Sequence, residues 1–256
     1  MADHDPADQV PPPAGPARPV VAVARHAEQY RPGRLTDVFR PPATEHAPVV
    51  LLWHGSGPDE REVLAPLAAA VARRGPLVLV PDWRSDDPVV GPVELLDSIE
   101  FARATSGELG GDAGRIVLAG WSLGANAAAA VAEHPALVGG WHPSGLVGLA
   151  GSYDASPFDG RRDAGEPVGG AGRPALVAHG SADPVVPLAG SVAAAGRLAG
   201  DGWRVVLRQI DTDHAGIIGT EYNPWRSLCV PTTDPGRLVV LDAVAAAVAA
   251  VALGPG

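Results

Sequence analysis

The stretch LAGWSLGANAAAA, residues 118–130, places one serine between two glycines, where an apolar run meets an alanine-rich segment. Its central residues GWSLG (120–124) fit the pattern G-x-S-x-G. This pattern predicts a sharp strand-to-helix turn that presents Ser122 as a nucleophile. Glycine on both sides suits such a turn, because larger side chains would collide with the neighbouring strand and helix. A small-residue turn without catalytic function would contain the same letters, so the remaining sequence has to distinguish the two interpretations.

Composition indicates a folded protein and excludes several kinds of chemistry. The 256 residues are 46% hydrophobic with a mean hydropathy of +0.10, which is typical of a globular chain with a substantial core. The formal charge of -10 and the pI of about 5.2 disfavour binding to nucleic acid. All 19 basic residues are arginine, which excludes a Schiff-base lysine and a lysine general base. Cys229 is the single cysteine, so we interpret it as an incidental thiol and expect neither a disulfide nor a cysteine-rich zinc site.

The two ends of the chain indicate a soluble protein. Residues 1–18 are acidic and rich in proline and lack an apolar stretch, so we expect a disordered tail rather than a secretory signal. Residues 238–253 are apolar but contain Asp242 and are short for a membrane span, which favours a buried terminal helix. With no repeat or linker visible, residues 19–256 are predicted to form a single domain. We expect a cytoplasmic protein with no membrane partner; the sequence indicates no oligomeric state.

Short apolar runs alternate along the chain with alanine-rich segments of helical period. Strands are predicted at 47–55, 76–83, 114–120, 144–151, 173–180 and 203–210, with an antiparallel leading pair at 19–26 and 33–40. Helices are predicted at 58–75, 91–107, 122–134 and 187–202 and at the C-terminus. This alternation predicts an α/β fold with a mostly parallel sheet of about eight strands and helices on both faces. Residues 152–172 form a polar loop that is long enough for a small lid but shows no pattern for a large cap domain.

Chemically competent side chains follow three of these strands. Ser122 follows 114–120, Asp183 lies in HGSADPVVP (179–187), and His214 lies in DTDHAGIIG (211–219). The carboxyl ends of parallel strands share one edge of the sheet, where ligands bind. A serine hydroxyl needs an imidazole to take its proton, and the imidazole needs a carboxylate to fix its tautomer. The order serine, acid, histidine therefore predicts a nucleophilic hydrolase.

A fourth motif follows the strand at 47–55. The sequence HGSG (54–57) occupies the loop that supplies an oxyanion donor in hydrolases of this topology. The backbone N–H of Ser56, or that of Gly55, would act together with the N–H of Leu123.

These motifs together resemble those of the α/β-hydrolase superfamily, over roughly residues 20–252. The segments VLLWHGSG, GWSLGA, LAGSYD, LVAHGSADPVVP and TDHAGII are similar to those of small single-domain esterases, including acetyl-esterase and kynurenine-formamidase-like enzymes. The resemblance implies a serine hydrolase for an ester or amide of modest size, without metal or cofactor. It assigns Ser122 as nucleophile, Asp183 as acid and His214 as base. Such relatives usually show H-G-G-G-x-W, whereas Ser56 replaces a glycine here and no tryptophan follows.

Several other residues compete for roles in this site. Asp154 also follows a strand and is the alternative acid, although the setting HGSADPVVP favours Asp183. Asp211 and Asp213 flank His214 and are interpreted as turn formers. His54 and His179 each precede a glycine and are interpreted as structural groups that bond to loop backbone. The histidines are not paired at metal-ligand spacing, so no metal site is predicted.

Four large side chains lie near the predicted active-site loops: Trp53, Trp83, Tyr153 and Ile217. They could line a pocket for an acyl chain or an aryl group, or they could pack in the core. The preferred function is hydrolysis of short-acyl or small aryl esters at an open site. An arylformamidase, thioesterase, peptidase or cofactor-free perhydrolase would use the same residues. A non-catalytic binding protein of the same fold is the alternative from another class.

Overall fold

The computed structural model describes residues 22–42, 45–57, 60–159 and 165–254. The strands of its main sheet are β1 (Ala24–Arg31), β2 (Arg34–Arg40), β3 (Ala47–Trp53), β4 (Leu77–Pro81), β5 (Gly111–Trp121), β6 (Gly145–Leu149), β7 (Pro174–Gly180) and β8 (Arg204–Ile210). They are arranged in the order β1-β2-β4-β3-β5-β6-β7-β8. The strands from β3 to β8 are parallel, and β2 is antiparallel to both β1 and β4. The predicted mostly parallel sheet of about eight strands is confirmed.

Five helices cover the two faces of this sheet within the described residues. They are α1 (Ala65–Ala72), α2 (Val90–Thr105), α3 (Leu123–Glu133), α4 (Leu188–Gly200) and α5 (Pro235–Leu253). One core cluster contains residues of α2, α3 and α4, and the other contains residues of α1 and α5. Helices therefore pack on both faces, as predicted.

The central strand β3 explains why its sequence is an uninterrupted apolar run. All seven of its residues are buried. Val49 and Leu51 belong to the core on the α2–α4 face, whereas Val50 and Leu52 belong to the core on the α1–α5 face. Because successive side chains of a strand point to opposite faces, a strand covered on both sides must be apolar throughout.

The structure corrects several predicted boundaries. The first strand described is Ala24–Arg31, which runs past the predicted end at 26; residues 19–21 of the predicted strand and the predicted tail at 1–18 lie outside the described residues. The helix expected at 58–75 is a short 3-10 turn, Arg61–Leu64, followed by α1. A second, two-stranded sheet was not predicted: β9 (Thr220–Asn223) pairs with β10 (Leu228–Pro231). Its strands have only four residues each, too few to show a strand period.

The C-terminal helix α5 is half-buried, whereas the sequence predicted a buried helix. Its inner face packs into the core through Leu241, Val244, Ala245, Val248, Ala249 and Ala252, while Leu238, Val239 and Leu253 are exposed. The helix α5 is long and apolar enough to cross a membrane, and 33% of its most apolar 18-residue segment is buried. The core helix of a soluble protein meets the same criterion, so the cytoplasmic location stays a prediction.

Candidate active site

Ser122 lies on a strained turn between β5 and α3. Its backbone has φ 56 and ψ -122, a conformation that side-chain-bearing residues rarely adopt. Its N–H donates to the carbonyl of Leu149 on β6 at 2.8 Å. A Cβ at Gly120 would lie 2.0 Å from the carbonyl oxygen of Gly124, and a Cβ at Gly124 would lie 2.3 Å from that of Trp53. Both glycines are therefore required by close backbone packing, and the predicted strand–turn–helix context of Ser122 is confirmed.

The structure pairs His214 with Asp183. Nδ1 of His214 lies 2.7 Å from Oδ2 of Asp183, whose carboxylate side chain is only 1% exposed. The other carboxylate oxygen, Oδ1, accepts from the N–H groups of Val185 and Val186 at 2.8 and 2.9 Å. Because the carboxylate can only accept here, Nδ1 carries the proton. In neutral His214 the free lone pair is therefore on Nε2, the nitrogen that a general base would use.

Backbone contacts hold the loops that carry Asp183 and His214 side by side. The N–H of Ser181 donates to Ile210, and that of Ala182 donates to Thr212, at 2.7 and 3.0 Å. A Cβ at Gly180 would lie 2.4 Å from the carbonyl oxygen of Thr212. This close approach explains why glycine ends β7.

The residue after Thr212 also fixes the histidine loop. Asp213 forms two hydrogen bonds with Arg237 of α5, at 2.9 and 2.6 Å, and accepts from the N–H of Gly216 at 2.7 Å. The Arg237 hydrogen bond lowers the pKa of Asp213, and the backbone bond from Gly216 adds to this effect. The predicted role of Asp213 as a turn former is confirmed, with an additional ion pair.

Trp121 brings the histidine loop against the serine turn. Its indole Nε1 donates to the carbonyl oxygen of His214 at 2.9 Å, and the two ring centroids are 4.9 Å apart. Among the described residues no hydrogen bond joins the Ser122 hydroxyl to His214. Catalytic hydrogen bonds are often long before substrate binds.

The loop at 54–57 lies directly against Ser122. A Cβ at Gly55 would lie 3.0 Å from Cβ of Ser122 and 3.2 Å from the Trp121 ring, so this position leaves no room for a side chain. The next residue, Ser56, is exposed. Leu123 opens α3, and its N–H therefore has no acceptor within the helix. The predicted oxyanion donors lie on two segments in contact with the nucleophile position.

The segment after β4 forms hydrogen bonds with the loop at 54–57. Nδ1 of His54 contacts the Gly55 carbonyl at 3.0 Å, and its Nε2 accepts from the N–H of Trp83 at 3.2 Å. The hydroxyl of Ser85 accepts from the Gly57 N–H at 2.5 Å and donates to the Gly57 carbonyl at 3.0 Å. The predicted structural role of His54 is confirmed.

Three of the four candidate pocket residues are buried in the core. Trp53, Trp83 and Ile217 are at most 1% exposed, so they pack in the core and leave no surface for a substrate. The Trp53 indole donates to the buried hydroxyl of Ser98 on α2 at 3.1 Å. Tyr153 lines a cavity of about 150 Å³ beside α3, but Ser122 is not among the residues around that cavity.

The described parts of the 152–172 loop are attached to α3. The Asn126 side chain donates to the hydroxyl of Ser152 and to the carbonyl of Ala155, at 3.0 and 2.7 Å. The carboxylate of Asp154 accepts from Ser152 and is exposed, so the structure does not pair this alternative acid with His214.

Two further titratable groups lie close to the oxyanion loop. The side chain of Glu60 packs on Gly57, and burial raises its pKa. Burial also raises the pKa of Cys229, which keeps this thiol protonated and fits the predicted incidental role. Within the described residues no group of three histidine, cysteine or carboxylate side chains could hold a metal ion.

Comparisons with known proteins agree with this geometry at the level of the fold. No protein-family model and no curated protein sequence matches the chain. Among solved structures, an esterase from Pyrobaculum calidifontis is 19% identical with a TM-score of 0.65, covering 92% of this chain and 87% of that one. Esterase Est22 is 17% identical with a TM-score of 0.67, covering 91% and 82%. The chain has the α/β-hydrolase fold.

A third structure with the α/β-hydrolase fold is the apo form of esterase 2 from Thermogutta terrifontis. It is 16% identical with a TM-score of 0.66, covering 88% of this chain and 92% of that one. The same esterase has been solved with propionate bound. The predicted fold resemblance is confirmed, and the finer likeness to acetyl-esterases and kynurenine formamidases stays a prediction.

Within this α/β-hydrolase fold, sequence analysis missed three supporting contacts. Trp121 contacts His214, Ser85 braces Gly57, and His179 lies 3.3 Å from the Asp183 carboxylate. The last of these had a signal, because His179 at the end of β7 is only four residues before Asp183. The other two join segments distant in sequence, and no local pattern marks them.

Proposed function

We propose that this chain is a serine hydrolase that cleaves carboxylic esters with short acyl or small aryl groups. The observation that carries the proposal is the 2.7 Å contact between His214 and the buried Asp183, held against the strained Ser122 turn by Trp121. A histidine with its Nδ1 proton fixed on a carboxylate is prepared to accept a proton at Nε2. The structural neighbours are esterases, which supports the same reaction class.

In the proposed mechanism the Ser122 hydroxyl attacks the ester carbonyl carbon while Nε2 of His214 takes its proton. The N–H groups of Leu123 and Ser56 stabilise the resulting oxyanion. His214 then donates the proton to the departing alkoxide oxygen as the C–O bond breaks, which leaves an acyl group on Ser122. A water molecule, deprotonated by His214, attacks this acyl-enzyme. The bond between the acyl carbon and the Ser122 oxygen then breaks, His214 returns the proton to that oxygen, and the acid leaves. Asp183 stays ionised throughout and stabilises the imidazolium form.

We base the preference for small substrates on the described residues around Ser122. The described parts of the 152–172 loop are attached to α3 through Asn126, and Ser56 is exposed. The propionate complex of the Thermogutta enzyme, a protein of the same fold, is consistent with a short acyl group. The proposal includes the cytoplasmic location and the small-molecule ester substrate that the sequence predicts.

The test is fluorophosphonate labelling of the wild type beside Ser122→Ala, followed by turnover of p-nitrophenyl esters from acetate to decanoate. We expect labelling to disappear in Ser122→Ala and to persist in Ser181→Ala, a matched change of an exposed serine at the same edge of the sheet. Short esters should turn over fastest. Labelling without ester turnover would redirect the function to formamide, thioester or peptide bonds, and no labelling of folded wild type would favour the binding protein.

A further inference from the structure

His179 is a buried histidine that the proposed mechanism does not use. It lies at the carboxyl end of β7, four residues before Asp183, and its side chain has no exposed surface. Its Nε2 lies 2.9 Å from the carbonyl oxygen of Val186 and 3.3 Å from Oδ2 of Asp183. Oδ2 is the same oxygen that accepts from Nδ1 of His214. Two imidazole rings therefore meet one carboxylate oxygen.

The partners of His179 determine which of its nitrogens carries a proton. The Val186 carbonyl and the ionised Asp183 carboxylate are both acceptors, so Nε2 must carry a hydrogen. The other nitrogen, Nδ1, lies 2.7 Å from the hydroxyl of Ser191 on α4. That hydroxyl is buried and also lies 3.2 Å from the Gly151 carbonyl. Whichever of these Ser191 donates to, Nε2 donates its hydrogen to the Val186 carbonyl and lies 3.3 Å from Oδ2 of Asp183.

The ring of His179 thus links Asp183 to two other elements of the fold. Ser191 fixes the ring to α4, and Gly151 follows β6, the strand that also accepts the N–H of Ser122 through Leu149. On the other side of the carboxylate, the N–H groups of Val185 and Val186 fix Oδ1. Val186 therefore joins the two side chains: its carbonyl accepts from Nε2 of His179, and its N–H donates to Oδ1 of Asp183.

We propose that His179 is a positioning residue that holds the Asp183 carboxylate in the plane required by His214. The inference rests on the proposed function, because it concerns the acid of that site. Removing the Nε2 donor would release the Val186 backbone that fixes Oδ1 and take away the ring beside Oδ2, so the carboxylate could rotate and its contact with His214 would lengthen. Because His179 lies behind the carboxylate and is fully buried, its loss should act on the chemical step and not on substrate binding.

Two amide replacements isolate the relevant nitrogen. The amide of glutamine reaches the position of Nε2, whereas that of asparagine reaches only the position of Nδ1. We expect His179→Asn to lower kcat roughly 10- to 100-fold with KM unchanged within about twofold, and His179→Gln to recover most of this loss. The downfield proton resonance of the His214–Asp183 hydrogen bond should weaken or move in His179→Asn and return in His179→Gln. Melting temperatures of both variants check that they are folded.

The outcomes separate this inference from the proposed function. A wild type without turnover would overturn the function itself. An active wild type whose kcat is unchanged in folded His179→Asn would overturn only the role of His179. Equal losses of kcat in both variants would also overturn it, since glutamine keeps the donor. If His179→Asn does not fold, His179→Leu is assayed below its melting temperature instead. A kcat and a downfield resonance equal to those of the wild type would then overturn the inference.

Discussion

The indole of Trp121 lies against the imidazole of His214, with ring centroids 4.9 Å apart and an interplanar angle of 39°. The same indole donates from Nε1 to the main-chain carbonyl of His214 at 2.9 Å. Trp121 is the neighbour of Ser122, and Gly55 packs on its ring. One side chain therefore connects the nucleophile turn, the histidine loop and the oxyanion loop.

We predict that Trp121→Phe lowers kcat/KM about tenfold, because the His214 loop loses its hydrogen bond and part of its ring contact. The loss of one buried hydrogen bond should lower the free energy of unfolding by about 1 kcal/mol. The control is Trp203→Phe, since Trp203 is also buried but its Nε1 has no hydrogen-bond partner among the described residues. Ester kinetics and urea unfolding of both variants check the prediction, and equal kinetics in the two would contradict it.

Asp183→Asn should lower kcat by about 10³- to 10⁴-fold, because an amide cannot stabilise the imidazolium and can hold His214 in the wrong tautomer. The matched change Asp154→Asn should leave kcat within about twofold, since Asp154 is bonded to Ser152 and not to His214. Steady-state kinetics on the same ester decide between the two carboxylates. A large loss in Asp154→Asn with little change in Asp183→Asn would reverse the assignment.

Gly124→Ala should destabilise the protein by about 1–3 kcal/mol, because the new methyl group would lie 2.3 Å from the backbone oxygen of Trp53. The resulting shift of the turn should also lower kcat at least about tenfold. Gly196→Ala in α4 is the control, because that position is exposed and a Cβ there meets nothing within 4 Å. It should raise the free energy of unfolding by about 0.5–1 kcal/mol. Denaturant unfolding should therefore show a lower free energy of unfolding for Gly124→Ala and a higher one for Gly196→Ala.

The ion pair between Arg237 and Asp213 should make stability depend on pH at the acid end. Arg237 lowers the pKa of Asp213, so the stabilisation is present above the unfolded-state pKa of about 4 and is lost as the pH falls through the lower folded-state value. Arg237→Ala should therefore lower the free energy of unfolding by about 1 kcal/mol at pH 7, and this difference from wild type should shrink below about pH 4. Urea unfolding between pH 3 and 7 measures it.

The control for this ion pair is Arg115→Ala. Arg115 pairs with Asp112 three residues away, and both side chains are more exposed than those of Arg237 and Asp213. Its removal should change the free energy of unfolding by no more than about 0.5 kcal/mol at pH 7. A difference for Arg237→Ala that stays constant down to pH 3 would show that the lowered pKa of Asp213 does not contribute.

The elements that the sequence predicted well are those with a strong local pattern. The strand β3 is apolar over its whole length because both of its faces are covered, and α3 follows a glycine-flanked serine that only a sharp turn accommodates. The hairpin of β9 and β10 was missed because four-residue strands carry no period. The predicted end of the first strand, at 26, falls five residues short because most of the later residues that pair with β2 are polar and show no apolar run.

Within the candidate site, the sequence was sufficient to predict the residue types, their order and their positions after strands. Those features follow from patterns of a few residues, since hydrophobic period and glycine placement are local properties of the chain. Three contacts became visible only in the folded chain: His214 contacts Asp183 and not Asp154, Trp53, Trp83 and Ile217 pack in the core, and His179 lies beside the Asp183 carboxylate. The reason is physical: each of these depends on strand register and loop closure across the sheet, which bring together groups that no local pattern relates.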